Sequence, residues 1–278
     1  MTGNTSAMAA QDRSVGAEDS GTGAPLFVCD GLCIEFDTAA GPQRVLEDVC
    51  FSVAPGEFVS IVGGSGTGKT TLLRALGGLV RPKPGSTVTF DGRPVESPPS
   101  GAVVVFQDYR GSLLPWRTVE KNVELGVEGR MPAAERKRRV SEVLELVGLA
   151  HRRRDYPWTL SGGMQQRVQI ARALAMQPRV LLMDEPFGAL DAMTKAQLQD
   201  ELQRVHRATG TTVVFVTHDI EEAVYLSDRV LVLSGSPARV TLEVDVPLPR
   251  PREQVGTRES REYLEIRHLV HGAISHSA

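Results

Sequence analysis

Long apolar runs are missing from this 278-residue chain. The longest span four to six residues, such as Val213-Val214-Phe215-Val216, far short of the roughly 20 that a membrane-crossing helix requires. The chain is therefore expected not to span a bilayer. Residues 1–25 are rich in Gly, Ser, Thr and Ala with scattered charge and lack the apolar segment of a secretory signal, which predicts a disordered tail. Cysteine is scarce: Cys29, Cys33 and Cys50 are an odd number, and the first two lie in a strand-like stretch with no matching pair elsewhere. That pattern excludes a disulfide framework, offers no zinc-ligand spacing and points to reduced thiols in a cytosolic setting. A formal net charge of −3 supplies no basic field, so nucleic acid is not indicated as a partner. No internal repeat is present. What the chain does have is 41% hydrophobic residues, enough for one large core, with or without a smaller appended subdomain.

Residues 63–70 read Gly63-Gly64-Ser65-Gly66-Thr67-Gly68-Lys69-Thr70 and follow the apolar run Phe58-Val59-Ser60-Ile61-Val62. Gly63, Gly68, Lys69 and Thr70 fit the phosphate-loop spacing. In it glycines let backbone N–H groups close around phosphates, the lysine reaches the β/γ-phosphates and the hydroxyl binds Mg2+. Thr71, Leu72, Leu73, Ala75 and Leu76 then read as a helix whose positive end points at the same site.

Strand signals dominate residues 26–62. The runs 26–28, 33–36, 49–53 and 57–62 are separated by turn signals at Asp30-Gly31, Ala40-Gly41-Pro42 and Pro55-Gly56, which predicts an antiparallel patch leading into the core. Pro82, Pro84 and Gly85 break the chain; a hairpin turning at Asp91-Gly92 is expected over 87–95, and a continuous apolar strand over 102–106. Helices are predicted over 119–125 and 133–147 and from Ser161 onward. In the second, Val140, Val143, Leu144 and Val147 share one face, while Arg136, Lys137, Arg138 and Glu142 fall mostly on a face expected to be solvated. The apolar runs 179–184 and 212–217 flank a helix at 196–208, and 230–233 adds a strand. Buried runs alternating with helices indicate a parallel sheet. Beyond Pro247, residues 248–252 read as a connector, and the helix-like stretch 258–269 receives no role.

Val180-Leu181-Leu182-Met183-Asp184-Glu185 is an apolar strand ending in two carboxylates. A phosphate-loop protein needs an acid there to reach the Mg2+ shell and a base to orient water; Asp184 suits the metal and Glu185 the base. The segment Leu160-Ser161-Gly162-Gly163-Met164-Gln165-Gln166-Arg167 precedes an apolar-periodic helix carrying Val168, Ala171 and Leu174. Ser161 can cap that helix, and Gly162 and Gly163 leave bare amides at its positive end, able to receive phosphate oxygens of a nucleotide held elsewhere.

Taken in order, these motifs resemble the ATP-binding subunits of ABC transporters over residues 26–246. Gln107 resembles that family's Q-loop glutamine, Ala189-Leu190-Asp191 its D-loop, Thr217-His218-Asp219 its switch histidine, and Phe36 the aromatic residue that stacks on adenine. Met164 departs from the commonest signature, which ends in Gln. Ser161 and the amides are kept, so phosphate binding is expected to survive. The segment 160–167, with Leu114-Pro115-Trp116, is similar to importer subunits for nitrate, sulfonate and taurine. The resemblance implies an α/β P-loop NTPase fold with a mostly parallel core sheet and an N-terminal antiparallel β subdomain. It also implies an α-helical subdomain inserted at about 108–165 and a C-terminal extension at 247–278.

The resemblance further implies ATP and Mg2+ clasped between two copies docked head to tail. Lys69, Thr71 and the amides of Gly63, Gly64, Ser65, Gly66, Thr67 and Gly68 would hold the nucleotide, with Thr70, Asp184 and Gln107 around Mg2+. Glu185 would be the base, Gln107 would sense metal and attacking water, and His218 would contact the γ-phosphate. Ser161, Gly162, Gly163 and Asp191 would serve the nucleotide shared with the other copy. Implied partners are separate transmembrane permease subunits at the cytoplasmic face of the membrane, received at Leu113, Leu114, Pro115 and Trp116, and indirectly a solute-binding protein; nucleic acid is not among them. The alternative is a soluble ABC-type ATPase acting on DNA or ribosomes. Such proteins usually carry two ATPase units or a long coiled-coil insertion, whereas Lys69 and Asp184 stand 115 positions apart with no heptad run between them. A simple kinase or GTPase leaves residues 160–167 unexplained.

Overall fold

Strands covered on both faces need no polar alternation, and the apolar runs read above are of that kind. The computed structural model describes residues 24–39, 41–188 and 190–275. Residues 1–23 of the expected tail, and Ala189 of the motif at 189–191, lie outside them. In chain order the elements are β1 (Phe27–Thr38), β2 (Gly41–Val53), β3 (Phe58–Val62), α1 (Lys69–Leu76), β4 (Thr87–Phe90), β5 (Arg93–Pro94) and β6 (Ala102–Val105). There follow α2 (Tyr109–Ser112), α3 (Val119–Glu124), α4 (Ala133–Leu146), α5 (Gly162–Ala175), β7 (Val180–Asp184), α6 (Ala192–Thr209) and β8 (Thr212–Thr217). The chain continues through α7 (Ile220–Leu226), β9 (Arg229–Gly235), β10 (Ala238–Asp245), α8 (Gly256–Glu259) and α9 (Arg261–Ser275).

Among the described residues the strands form one sheet in the order β5-β4-β1-β2-β10-β9-β3-β8-β7-β6. From β9 to β6 every neighbour is parallel. The antiparallel arm β5-β4-β1-β2 joins this core through β10, which is antiparallel to β9 and meets β2 at the single pair Ala238 and Leu46. Two apolar layers follow from the alternation of side chains along each strand. Phe58, Val62, Leu181, Met183, Val213, Phe215, Val230 and Val232 face α5, α6, α7 and α9. Val59, Ile61, Leu182, Val214, Val216, Leu231 and Leu233 face α1 and the arm. The helices α3, α4 and α5 pack together through Val119, Val123, Val140, Val143, Leu144 and Val168. On the basic face of α4, Lys137 and Arg138 are exposed as expected, while Arg136 and Arg139 turn in to Glu124 and to the Leu174 carbonyl.

Three expectations need correction. Asp30-Gly31 is not a turn between strands but a bulge inside β1: the register slips between the pairs Cys29–Phe51 and Leu32–Val49, and Gly31 takes φ +57°. An irregularity beside a left-handed glycine leaves the same local signal as a hairpin turn. Secondly, β10 and α7 were not expected: β10 alternates with exposed Arg239, Glu243 and Asp245, and α7 is too short to display a 3.6-residue period. Thirdly, residues 248–252 are an anchor and not a loose connector. Arg252 is buried and donates to the carbonyls of Val224, Tyr225 and Ser227 at the end of α7, and to those of Val246 and Leu248. Burial pushes its guanidinium down to about 10, yet it remains a cation at a helix C-terminus, where its charge is favourable. Helix α9 then crosses α7, β9 and β10 with Tyr263 and Val270 fully buried.

That packing makes a measurable claim. Tyr263→Ala is expected to cost about 3–5 kcal/mol in urea unfolding, the range for emptying a buried aromatic site. A C-terminal segment without a structural role would give a change within about 0.5 kcal/mol.

Candidate nucleotide site

The loop between β3 and α1 is shaped by what surrounds it. A Cβ at Gly63 would stand 2.2 Å from the Leu233 carbonyl oxygen, so only glycine lets the loop pass against the end of β9. Gly66 and Gly68 take φ of +78° and +89°, left-handed values that L side chains resist. Gly68 is also the N-cap of α1 and offers no side-chain cap, so the first amides of that helix stay open toward the loop. Lys69 curls back into the loop: its Nζ donates to Gly63 O at 2.9 Å and Gly64 O at 2.7 Å. Burial pushes this ammonium below its usual range, and the charges of Glu185 and Asp184 oppose the shift.

Across from the loop, Thr70 Oγ1 donates to Asp184 Oδ1 at 2.9 Å. Asp184 is only 6% exposed. Burial pushes its carboxyl up, the Thr70 hydrogen bond opposes this, and the nearby Glu185 charge adds to it. The next residue, Glu185, holds φ +41°, a conformation costly for a side chain of this kind. Its amide continues the ladder to Val216 O at 2.9 Å. Its Oε2 receives Gln107 Nε2 at 3.4 Å and lies 3.0 Å from His218 Nδ1. Gln107 follows β6, where Gln169 of α5 donates to the Phe106 carbonyl at 3.0 Å and ties that strand end to the helical layer. Lys69, Thr70, Gln107, Asp184, Glu185 and His218 therefore gather at one edge, formed by the carboxyl ends of β3, β6, β7 and β8.

The remaining predicted residues stand apart from this cluster. Ser161 caps α5, accepting from Met164 N at 3.4 Å, and a Cβ at Gly163 would meet Thr194 Cγ2 at 2.4 Å, so α5 sits tightly on the first turn of α6. Asp191 caps α6 through Thr194 N at 3.0 Å, a bond that holds its carboxyl below the usual range. Among the described residues no hydrogen bond links 161–163 to the loop at 63–71. Phe36 is 41% exposed on β1 and pairs with Gln43 of β2. Gln43, Arg44, Val45 and Ser236 line a cavity of about 270 Å³ beside Ser65, Gly66 and Thr67. Sequence reasoning missed these four because a hairpin tip carries no motif. Leu113, expected on a docking surface, is instead buried in the core. Trp116 is 70% exposed, and a stacked pair, Tyr156 and Trp158, stands on a loop tied to the start of α3, three residues past Trp116, by the bonds Val119 N to Asp155 O and Glu120 N to Arg153 O.

A glycine loop that opens a helix behind a parallel strand, with a lysine and two carboxylates at the same edge, defines a P-loop nucleoside triphosphatase. The ABC transporter family profile matches residues 46–188. The nitrate import ATP-binding protein NrtD of Synechococcus elongatus is 44% identical over 250 residues, covering 88% of this chain and 89% of that protein. NrtC of the same organism, another nitrate import ATP-binding protein, is 45% identical over 237 residues. The bicarbonate transport ATP-binding protein CmpC of a Synechocystis species is 48% identical over 224 residues. These alignments cover 84% and 78% of this chain but only 36% of NrtC and 33% of CmpC. A solved dimeric ATP-binding cassette in a post-hydrolysis state, bound to ADP and Pi, superposes with a TM-score of 0.68 at 32% identity, covering 79% of this chain and 98% of that one. The chain belongs to the ABC transporter family, as an ATP-hydrolysing subunit of the importer kind.

The buried carboxyl of Asp184 sets a pH dependence with a definite sign. Because its folded pKa is raised, the folded chain keeps a proton that the unfolded chain has already lost, and stability falls as pH rises through that window. Asp184→Asn removes the cost. Without nucleotide, the variant is expected to resist urea better than the parent at pH 7, the difference shrinking as pH drops below the ordinary carboxyl range. A parent equal to or more stable than the variant at pH 7 contradicts the assignment.

Proposed function

We propose that two copies of this chain clasp ATP between them and hydrolyse it to drive uptake of a small solute through separate permease subunits. The observation that carries this reading is the meeting of Gln107 and His218 on the Glu185 carboxylate, across from a loop lysine and the Thr70–Asp184 pair. Lys69 and the amides of residues 63–68 would hold the β- and γ-phosphates, with Thr71 at the helix start and Phe36 stacked on the adenine. Glu185 would take a proton from the attacking water, which Gln107 orients, and His218 would contact the γ-phosphate.

Thr70, Asp184 and Gln107 would hold Mg2+. The donors are hard oxygens, and Asp184 is a buried carboxylate whose ionised form gains most from a nearby cation. Bound there, Mg2+ supplies charge neutralisation at the transferring phosphoryl group.

Ser161, Gly162, Gly163 and Asp191, distant in bonding from the loop, would complete the site of the other copy. The dimeric neighbour bound to ADP and Pi supports that arrangement. Among the described residues no helix is long and apolar enough to cross a membrane; this reading assigns the membrane passage to permease chains. We place their contact at Trp116 and the Tyr156–Trp158 pair, at the cytoplasmic face, with a solute-binding protein acting indirectly through the permease. Relatives named for nitrate and bicarbonate support a small solute of the nitrate, sulfonate or taurine kind.

Glu185→Gln is expected to bind ATP, sediment as a dimer in its presence and lose turnover on the order of 10²- to 10⁴-fold, the usual worth of a general base. Ordinary hydrolysis by that variant removes Glu185 from its role. Lys69→Ala is expected to weaken ATP binding on the order of 10- to 100-fold, as for loss of a charge-assisted hydrogen bond. Equilibrium titration showing unchanged affinity contradicts the loop assignment.

A further inference from the structure

A lysine from a different helix holds the residue that follows His218 directly and the one that precedes it through a shared carboxylate. Lys195 lies in the first turn of α6, four positions after the Asp191 cap. Its Nζ donates to Asp219 Oδ2 at 2.7 Å and lies 2.7 Å from Glu222 Oε1, the second contact ionic and off the hydrogen-bonding direction. Asp219 immediately follows His218 and caps α7: its Oδ1 accepts from Glu221 N at 2.8 Å and Glu222 N at 3.3 Å. Thr217 immediately precedes His218. Its hydroxyl donates to the Glu222 carboxylate and accepts from Asp219 N at 3.0 Å. Lys195, Asp219, Glu222 and Thr217 thus close a ring of polar contacts around the backbone that carries the histidine.

His218 is not fixed by packing. Its side chain is 59% exposed, and its ring bonds to Glu185; the direction of the imidazole follows from the backbone at 217–219. Helices α8 and α9 hold the same helix start from the other side. There Arg258 and Arg267 pair with the Glu221 carboxylate at 3.0 and 3.1 Å, and Tyr263 Oη donates to the Glu221 carbonyl at 3.2 Å. Those contacts meet α7 at Glu221, whereas Lys195 meets Asp219, which directly follows the histidine, and Glu222, whose carboxylate holds Thr217 directly before it. Its charge is strongly engaged. Burial works against ionisation of Asp219, yet the hydrogen bond and charge of Lys195 hold that carboxyl below its usual range. Burial pushes Glu222 up, with Lys195 pulling the other way.

We infer that Lys195 is a positioning residue for ATP hydrolysis, setting through Asp219 and Glu222 the angle at which His218 meets Glu185. The inference rests on the proposed role of His218 in turnover. Because Asp191 caps α6 and is proposed to face the second copy, Lys195 also ties His218 to that end of α6.

The test is a double-mutant cycle on the purified full-length chain, with MgATP turnover and TNP-ATP binding as readouts. Lys195→Met is expected to lower kcat on the order of 10- to 100-fold, the cost of misplacing a reacting group by about an ångström, with nucleotide affinity unchanged. Lys195→Arg, which keeps the charge and reach, is expected to recover most of the rate. In a His218→Ala background Lys195→Met should subtract nothing further, because both act through one imidazole. An equal loss in that background, an Arg variant as poor as the Met variant, or an unchanged kcat overturns the inference. If Lys195→Met does not fold, as judged by thermal unfolding, Asp219→Asn and Glu222→Gln keep the shapes and carry the same cycle. Wild-type turnover by His218→Ala alone instead overturns the underlying role of the histidine.

Discussion

The register of the parallel ladder is the constraint on which the site depends. β3, β8, β7 and β6 run the same way and end level, through the pairs Val62–Thr217, Val216–Asp184 and Met183–Val105. Just beyond each strand stands a group with chemistry: the phosphate loop after Val62, His218 after Thr217, Glu185 after Asp184 and Gln107 two residues past Val105. A slip of one residue in any pair would turn its side chains to the opposite layer. Apolar packing on both faces opposes such slips, with Met183 and Phe215 sealed in one layer and Leu182 and Val214 in the other.

Charge at that edge is arranged for a ligand that carries both signs. Burial pushes the Lys69 ammonium down and the Asp184 carboxyl up, so each ionised form is costly until an opposite charge approaches. A phosphate chain with a divalent cation meets both needs at once. Glu185 adds backbone strain of about 1–3 kcal/mol, typical of residues held in the left-handed region at functional sites. That conformation is fastened by the hydrogen bond its amide N–H donates to the Val216 carbonyl and by the contacts of its carboxylate with Gln107 and His218.

Much of this was legible in the sequence, and the exceptions have physical causes. Apolar runs with buried surroundings on both sides announce central strands, and the glycine spacing at 63–68 follows from steric demands that leave no alternative residue at Gly63. What failed to show were features decided by tertiary context. The bulge at Asp30-Gly31 carries the same residues as a hairpin turn. Helix α7 exists because Asp219 caps one end and Arg252 binds the carbonyls of the other, and neither contact is local enough to leave a periodic pattern. Arg252, Tyr263 and Lys195 read singly as ordinary charged or aromatic residues; their meaning arises only when three distant segments converge on the helix that follows His218. Leu113 illustrates the reverse error, an apolar residue beside a polar loop that packs inward.

A rigid ladder sets Lys69, Gln107, Glu185 and His218 side by side, and the helix after His218 is fastened from α6 and from the C-terminal extension. In the proposed function one copy holds only half of each working site. The most direct test is the ATPase activity per chain at saturating ATP as the purified protein is diluted, with light scattering reporting its mass. Composite sites predict that activity per chain falls as the dimer dissociates. Constant activity from a strictly monomeric chain contradicts the account.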